Sequence, residues 1–137
     1  VAVMLTAIAL LARMQVGGDA VDIVGLFTLA LLVNVAGFAW SAGIAMRFRT
    51  VQAGPLMQMP AFLLLFFAPV YVPLDLLSGW IETVATYNPI TYILEAARSL
   101  ISGEPDVVLL AFALGLALAG ALVWWAVRGL RRAEAAA

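Results

Sequence analysis

The chain has 137 residues, 66% of them hydrophobic and 11% charged, with a formal net charge of −1. Ordinary soluble domains are roughly 45–50% apolar and 25% charged, and a fold this small has too little interior to hide the excess, so the chain reads as an integral membrane protein. With no Cys and no His there is no disulfide framework, histidine metal ligand or histidine proton shuttle, and without a basic stripe nothing points to nucleic acid.

Taken in order, residues 1–12 are apolar but short of the ~20 residues that a membrane-crossing helix needs. They read as the end of a span that starts upstream, which makes the sequence the C-terminal part of something longer. Arg13 to Ala20 is a polar link punctuated by Gly17 and Gly18. The run 21–46, without a charge from Ile23 to Met46, predicts a full span, stopped by Arg47 and Arg49. A second predicted span, 54–72, carries Pro55, Pro60 and Pro69. Each proline removes a backbone donor and crowds the preceding turn, so this helix is expected to be kinked or broken, its freed carbonyls satisfied by neighbours.

Residues 74–103 form a semi-polar interlude, too long for a turn and too apolar for a solvated loop. Two short helices at a membrane surface, or dipping into it, suit that composition. In the first, Trp80, Ile81, Val84 and Ala85 share one face while Glu82, Thr83 and Thr86 fall away. Asn88-Pro89 is a start signal for the second and Gly103 a left-handed stop. The last predicted span is 106–128, closed by Arg128, Arg131 and Arg132, with 129–137 as a tail. The expected fold class is all-α, a polytopic membrane helix bundle with a re-entrant pair of short extracytoplasmic helices. Putting Arg47, Arg49 and the C-terminal arginines in the cytoplasm places five of the seven cations inside. The C-terminus is then cytoplasmic and 74–103 extracytoplasmic.

Small residues at Ala111, Gly115 and Ala119, and at Gly37, Ser41 and Ala45, predict close helix approach. Trp124 and Trp125, a turn before Arg128, read as interface anchors. Gln58, Phe62 and Phe66 recur at i, i+4 and i+8 with Met57 and Met59 beside them, a face suited to a cavity for greasy, varied ligands. The plainer reading has Gln58 bonding a neighbouring helix and the rings facing lipid or core. Asn34 is the other strong polar side chain inside the spans. Glu95 and Arg98 stand three apart on a helix, close enough to pair, either as an exposed pair of small worth or as one that holds an outer gate. Asp19/Asp22 and Glu104/Asp106 read as solvated loop charges rather than a metal site. There is no Gly-rich phosphate loop for ATP, no mid-membrane acid or base for ion coupling and no arginine ladder.

The succession of a charge-free span, a Pro-rich span ending in Tyr71-Val72-Pro73, a helix with Trp80, then Asn88-Pro89-Ile90-Thr91, Glu95-Ala-Ala-Arg98 and Gly103, and a last span with an Arg-rich end resembles the C-terminal part of ABC type-2 exporter permeases, the class that includes the daunorubicin-resistance permeases. The resemblance covers most of Gly54 to Arg132. It departs at Leu65-Phe66-Phe67-Ala68, often Leu-Ser-rich in that family, and at Ser78, often Pro.

The resemblance implies a permease rather than an enzyme, one of a pair (a second copy or a sibling) working with two cytoplasmic ATPase subunits that bind ATP and magnesium, this chain holding no cofactor of its own. It implies outward movement of a lipophilic or amphipathic compound (a drug, lipid or glycolipid) across the bacterial inner membrane, with membrane lipid as surroundings. The implied path residues are Gln58, Met59, Phe62, Phe66 and Asn34. The implied hairpin and gate residues are Pro73, Trp80, Asn88, Pro89, Glu95, Arg98 and Gly103. Arg47 and Arg49 would lie in a cytoplasmic loop near the ATPase. A non-transporting membrane scaffold and an ion-coupled carrier are the two alternative readings.

Overall fold

Asp19 opens the first helix of the computed structural model with a reciprocal cap: its carboxylate accepts from Val21 and Asp22 N–H, and the Asp22 carboxylate accepts from Asp19 N–H at 3.0 Å. Two acids at the positive end of a helix also complement its dipole. The structure describes residues 17–70 and 74–134, the last three by backbone alone. The expected end of a preceding span at 1–12, Arg13 and Pro73 lie outside the described residues.

The helix that follows, α1 (Ala20–Phe48), has 29 residues, about 44 Å of helix at 1.5 Å per residue. The last one, α5 (Val108–Glu134), has 27. These two are long and apolar enough to cross a membrane. α1 outruns the predicted span 21–46 at both ends and α5 runs past the end of 106–128, so Arg47 and Arg131 sit in closing helical turns rather than in a loop and a tail.

The two run parallel at a steady offset: Leu32 lies against Gly115, Gly43 against Trp125 and Arg47 against Gly129. Ala111, Gly115 and Ala119 are buried, as their spacing predicts. On α1 the prediction needs correcting. Gly37 and Ala45 face outward, and the buried small residues are Ala36, Ala39 and Gly43, one residue round the helix from the predicted stripe.

Between them the chain turns back through a single 3-10 turn (Val51–Ala53) into α2 (Gly54–Phe66). Its 13 residues make about 20 Å of helix, short of a ~30 Å hydrocarbon core. The helix expected over 54–72 stops at Phe66 because Pro69 offers no N–H to the Leu65 carbonyl. Ala68 N–H turns to that carbonyl instead, at 3.3 Å. None of the α2 side chains is buried.

The interlude folds into a 3-10 turn (Leu74–Leu76), α3 (Trp80–Tyr87) and α4 (Pro89–Ser102), the second starting and stopping where the sequence puts it. Gly103 closes α4 at φ 79, a left-handed position that Gly adopts without a Cβ penalty. α4 is no surface helix: Ile90, Ile93 and Ala96 share a core with Leu29 of α1 and Ala111 of α5. The predicted apolar face of α3 buries only Ala85, leaving Trp80, Ile81 and Val84 exposed.

Candidate functional site

The Asn88-Pro89-x-Thr91 run is the junction of three helices. Asn88 is 6% exposed. Its Oδ1 accepts from Ile90 N–H at 3.0 Å, capping α4, and its Nδ2 donates to the Leu64 carbonyl at 2.7 Å. That carbonyl lost its helical donor when Ala68 turned to Leu65, so one amide starts α4 and finishes α2. Thr91 Oγ1 donates to Ala85 O at 2.7 Å and Tyr92 OH to Thr86 O at 3.0 Å, which finishes α3. Pro89 occupies the first helical turn, where its missing N–H costs nothing. Ile90 shares a cavity wall with Leu118, ten residues into α5, about 15 Å from its start.

Higher up, Glu95 and Arg98 are paired at 2.7 Å, their side chains 24% and 33% exposed. The pair is not an isolated surface contact. Arg98 Nη2 also donates to the carbonyls of Pro69 and of Val70, the latter at 2.7 Å, and Glu95 Oε1 accepts from Leu74 N–H at 3.1 Å. The two side chains thus grip both ends of the elbow by which the chain leaves α2. Carbonyls outside regular helix are expensive away from water, and a guanidinium with five donors suits them.

The predicted path residues divide. Gln58, Met59, Phe62 and Phe66 are exposed on α2, while Pro60, Ala61 and Leu64 face the other helices. Phe62 and Phe66 stack at 6.3 Å, Phe66 meets Phe67 edge-on at 5.6 Å, and Phe67 meets Trp80 at 6.3 Å. One aromatic row therefore joins path candidates to a hairpin candidate. Asn34 stands apart in a shallow groove between α1 and α5, its amide donating to Ala30 O at 2.8 Å.

At the opposite end, Arg47 folds back on the bundle. Its guanidinium lies 3.8 Å over the Trp125 ring and donates to Gly43 O at 3.1 Å and Trp125 O at 3.2 Å. Trp125 stacks on Trp40 at 5.3 Å, and Trp40 Nε1 donates to Met57 O at 3.1 Å. Trp125 is therefore an interhelical plate rather than an interface anchor, while Trp124, under Arg128 at 3.9 Å, faces outward. The sequence reading missed Trp40. Its signal was Gly43 three residues on, a notch in which the Trp125 ring lies flat. Arg49 ends α1 in the left-handed region at φ 48.

A bundle with two membrane-length helices, a broken third and a capped hairpin is a polytopic membrane protein. Among the described residues no group of acidic side chains is placed to hold a metal ion. The sequence model of the ABC-2 type transporter family matches residues 1–101, and the chain belongs to that family. It is an ABC transporter permease, a membrane component of transport. The match takes in the first half of the chain, beyond the stretch whose motifs carried the resemblance. No curated protein and no solved structure gives a significant match.

Proposed function

We propose that the chain is the permease subunit of an exporter driven by a separate cytoplasmic ATPase, paired with a second permease and moving a lipophilic or amphipathic compound outward. The observation that carries this beyond family membership is the way α2 is held. Its outer face bears Gln58, Met59, Phe62 and Phe66, it buries no side chain, and its upper end is tied by Asn88 and Arg98. A helix with a mixed polar, aromatic and thioether face, held by hydrogen bonds rather than by packing, suits the wall of a path that opens and closes. Asn34 lies away from this face and plays no part in the path as proposed.

In this reading the arginines gathered at one end by the parallel run of α1 and α5 mark the cytoplasmic side of an inner membrane. Residues 74–103 then descend from the outer side as a re-entrant hairpin with its tip at Asn88, and Glu95 and Arg98 clamp the elbow above the path. ATP and magnesium belong to the partner ATPase. Arg47 acts on that partner only indirectly, by setting the crossing of α1 and α5.

ATP-dependent extrusion of a lipophilic cationic dye from proteoliposomes that contain the whole transporter tests the assignment. Replacing Gln58, Phe62 and Phe66 together with Leu should cut extrusion while leaving assembly with the ATPase intact. Undiminished extrusion by that variant would remove α2 from the path.

A further inference from the structure

Behind α2, on the side away from Gln58 and Phe62, lies a cavity of about 290 Å³. Gly37 and Trp40 of α1, Ala61 and Leu64 of α2, Ile90 of α4 and Leu118 of α5 stand around it. It is roughly twice the size of an engineered apolar cavity that stays dry and takes up benzene. The polar group nearest to its wall is the Trp40 indole N–H, and that is already spent on Met57 O. Water in a cavity needs two to four polar partners, so this one has nothing to offer it. It is not sealed: Leu64 and Leu65 keep 41% and 51% of their surface accessible. Its α1 wall, Val33 to Trp40, lies in the middle of Ala20–Phe48, at the depth of hydrocarbon rather than of headgroups.

We propose that this cavity holds the acyl chain of a membrane lipid, a removable wedge between α2 and the rest of the bundle. An empty apolar space of this size loses contacts on every wall, and the apolar molecule present at that depth is lipid. The wedge sets how far α2 stands from α1 and α5, and its departure lets α2 settle inward. The proposal does not depend on which compound is exported, nor on α2 forming the path.

The test uses the full chain with Trp80, Trp124 and Trp125 changed to Phe, leaving Trp40 as the indole that reports from the cavity wall, in phosphatidylcholine vesicles whose acyl chains are brominated. Bromine quenches indole fluorescence on contact, so Trp40 should be strongly quenched. Gly37 is on the cavity wall and a Cβ there meets no atom within 4 Å, so Gly37→Leu can begin without a clash and place its side chain at the cavity. It should reduce quenching by about twofold by displacing the guest. Ala61→Leu adds volume from the opposite wall and should do the same. Gly120→Leu, at an exposed glycine that is no part of the wall, should change nothing. Full quenching retained in both cavity-filling variants, each shown to be folded by its melting curve, would overturn the proposal, as would an unquenched Trp40 in the parent.

Discussion

Replacing Asn88 asks whether one side chain joins α2 to α4. Asn88→Ala removes the α4 cap, a loss of about 1 kcal/mol within a range of 0.5–2. It also strips the Leu64 carbonyl of its donor, which costs about 1–3 kcal/mol where water cannot replace it, although hydrogen bonds between membrane helices average nearer ~0.6 kcal/mol. The total expected is about 1.5 to 4 kcal/mol. Asn88→Ser separates the two parts, because a hydroxyl still caps α4 but is too short to reach Leu64. It should lose only the second contribution. Unfolding in mixed detergent micelles gives the magnitudes, and hydrogen exchange locates them: Ile90 N–H should lose protection in Asn88→Ala and keep it in Asn88→Ser. Equal destabilisation of both variants, or a change below about 0.5 kcal/mol for Asn88→Ala, the usual size for an uninvolved surface position, would refute the reasoning.

Gly43→Ala should lower the melting temperature, since a methyl there overlaps the Trp125 ring, whereas Gly37→Ala should hold or raise it by removing a flexible residue from open space. Gly103→Ala should destabilise by at least about 1–2 kcal/mol, because the new Cβ meets both a left-handed backbone and the Gly17 carbonyl, and micelle unfolding would show it. For Glu95 and Arg98 the charge swap should fail to rescue either single variant in transport: Pro69 and Val70 present carbonyls that only a donor at position 98 can satisfy. Recovery of export in the swapped variant would mean that the ion pair alone matters.

The sequence was most informative where local backbone chemistry decides the outcome. Asn88-Pro89 and Gly103 bracket α4 because a cap, a preset φ and a left-handed stop act within a few residues. The three prolines foretold a broken span, though not that it would end as early as Phe66. Contacts between distant segments left no such trace. Nothing in the spacing of Asn88 and Leu64, or of Arg98 and Pro69, says that a side chain on one reaches a carbonyl on the other. Gly17 and Gly18 read as punctuation, yet each crosses so close to the end of α4 that a Cβ would strike the carbonyl of Ser102 or Leu100, and Gly17 N–H caps Ile101 O at 2.9 Å. The small-residue stripe on α1 was placed one position off because small residues are frequent throughout that helix. Only Trp125 picks out which of them must be bare.

These contacts share a physical origin. Between lipid tails, an apolar side chain gains little by leaving its surroundings for another helix, so the hydrophobic effect does not fasten α2 to the bundle. What fastens it is a set of side chains that donate to its backbone carbonyls: Trp40 at Met57 within the helix, and, where the chain leaves regular helix, Asn88 at Leu64 and Arg98 at Pro69 and Val70. α1, α4 and α5 interlock through buried small residues and a common core, which resists any sliding. α2 has no buried side chain and a cavity at its back, so these hydrogen bonds carry much of its hold on the bundle. By ending the helix early, Pro69 leaves that end of α2 held by bonds that are individually weak and geometrically specific, the kind of hold that the proposed opening and closing of the path requires.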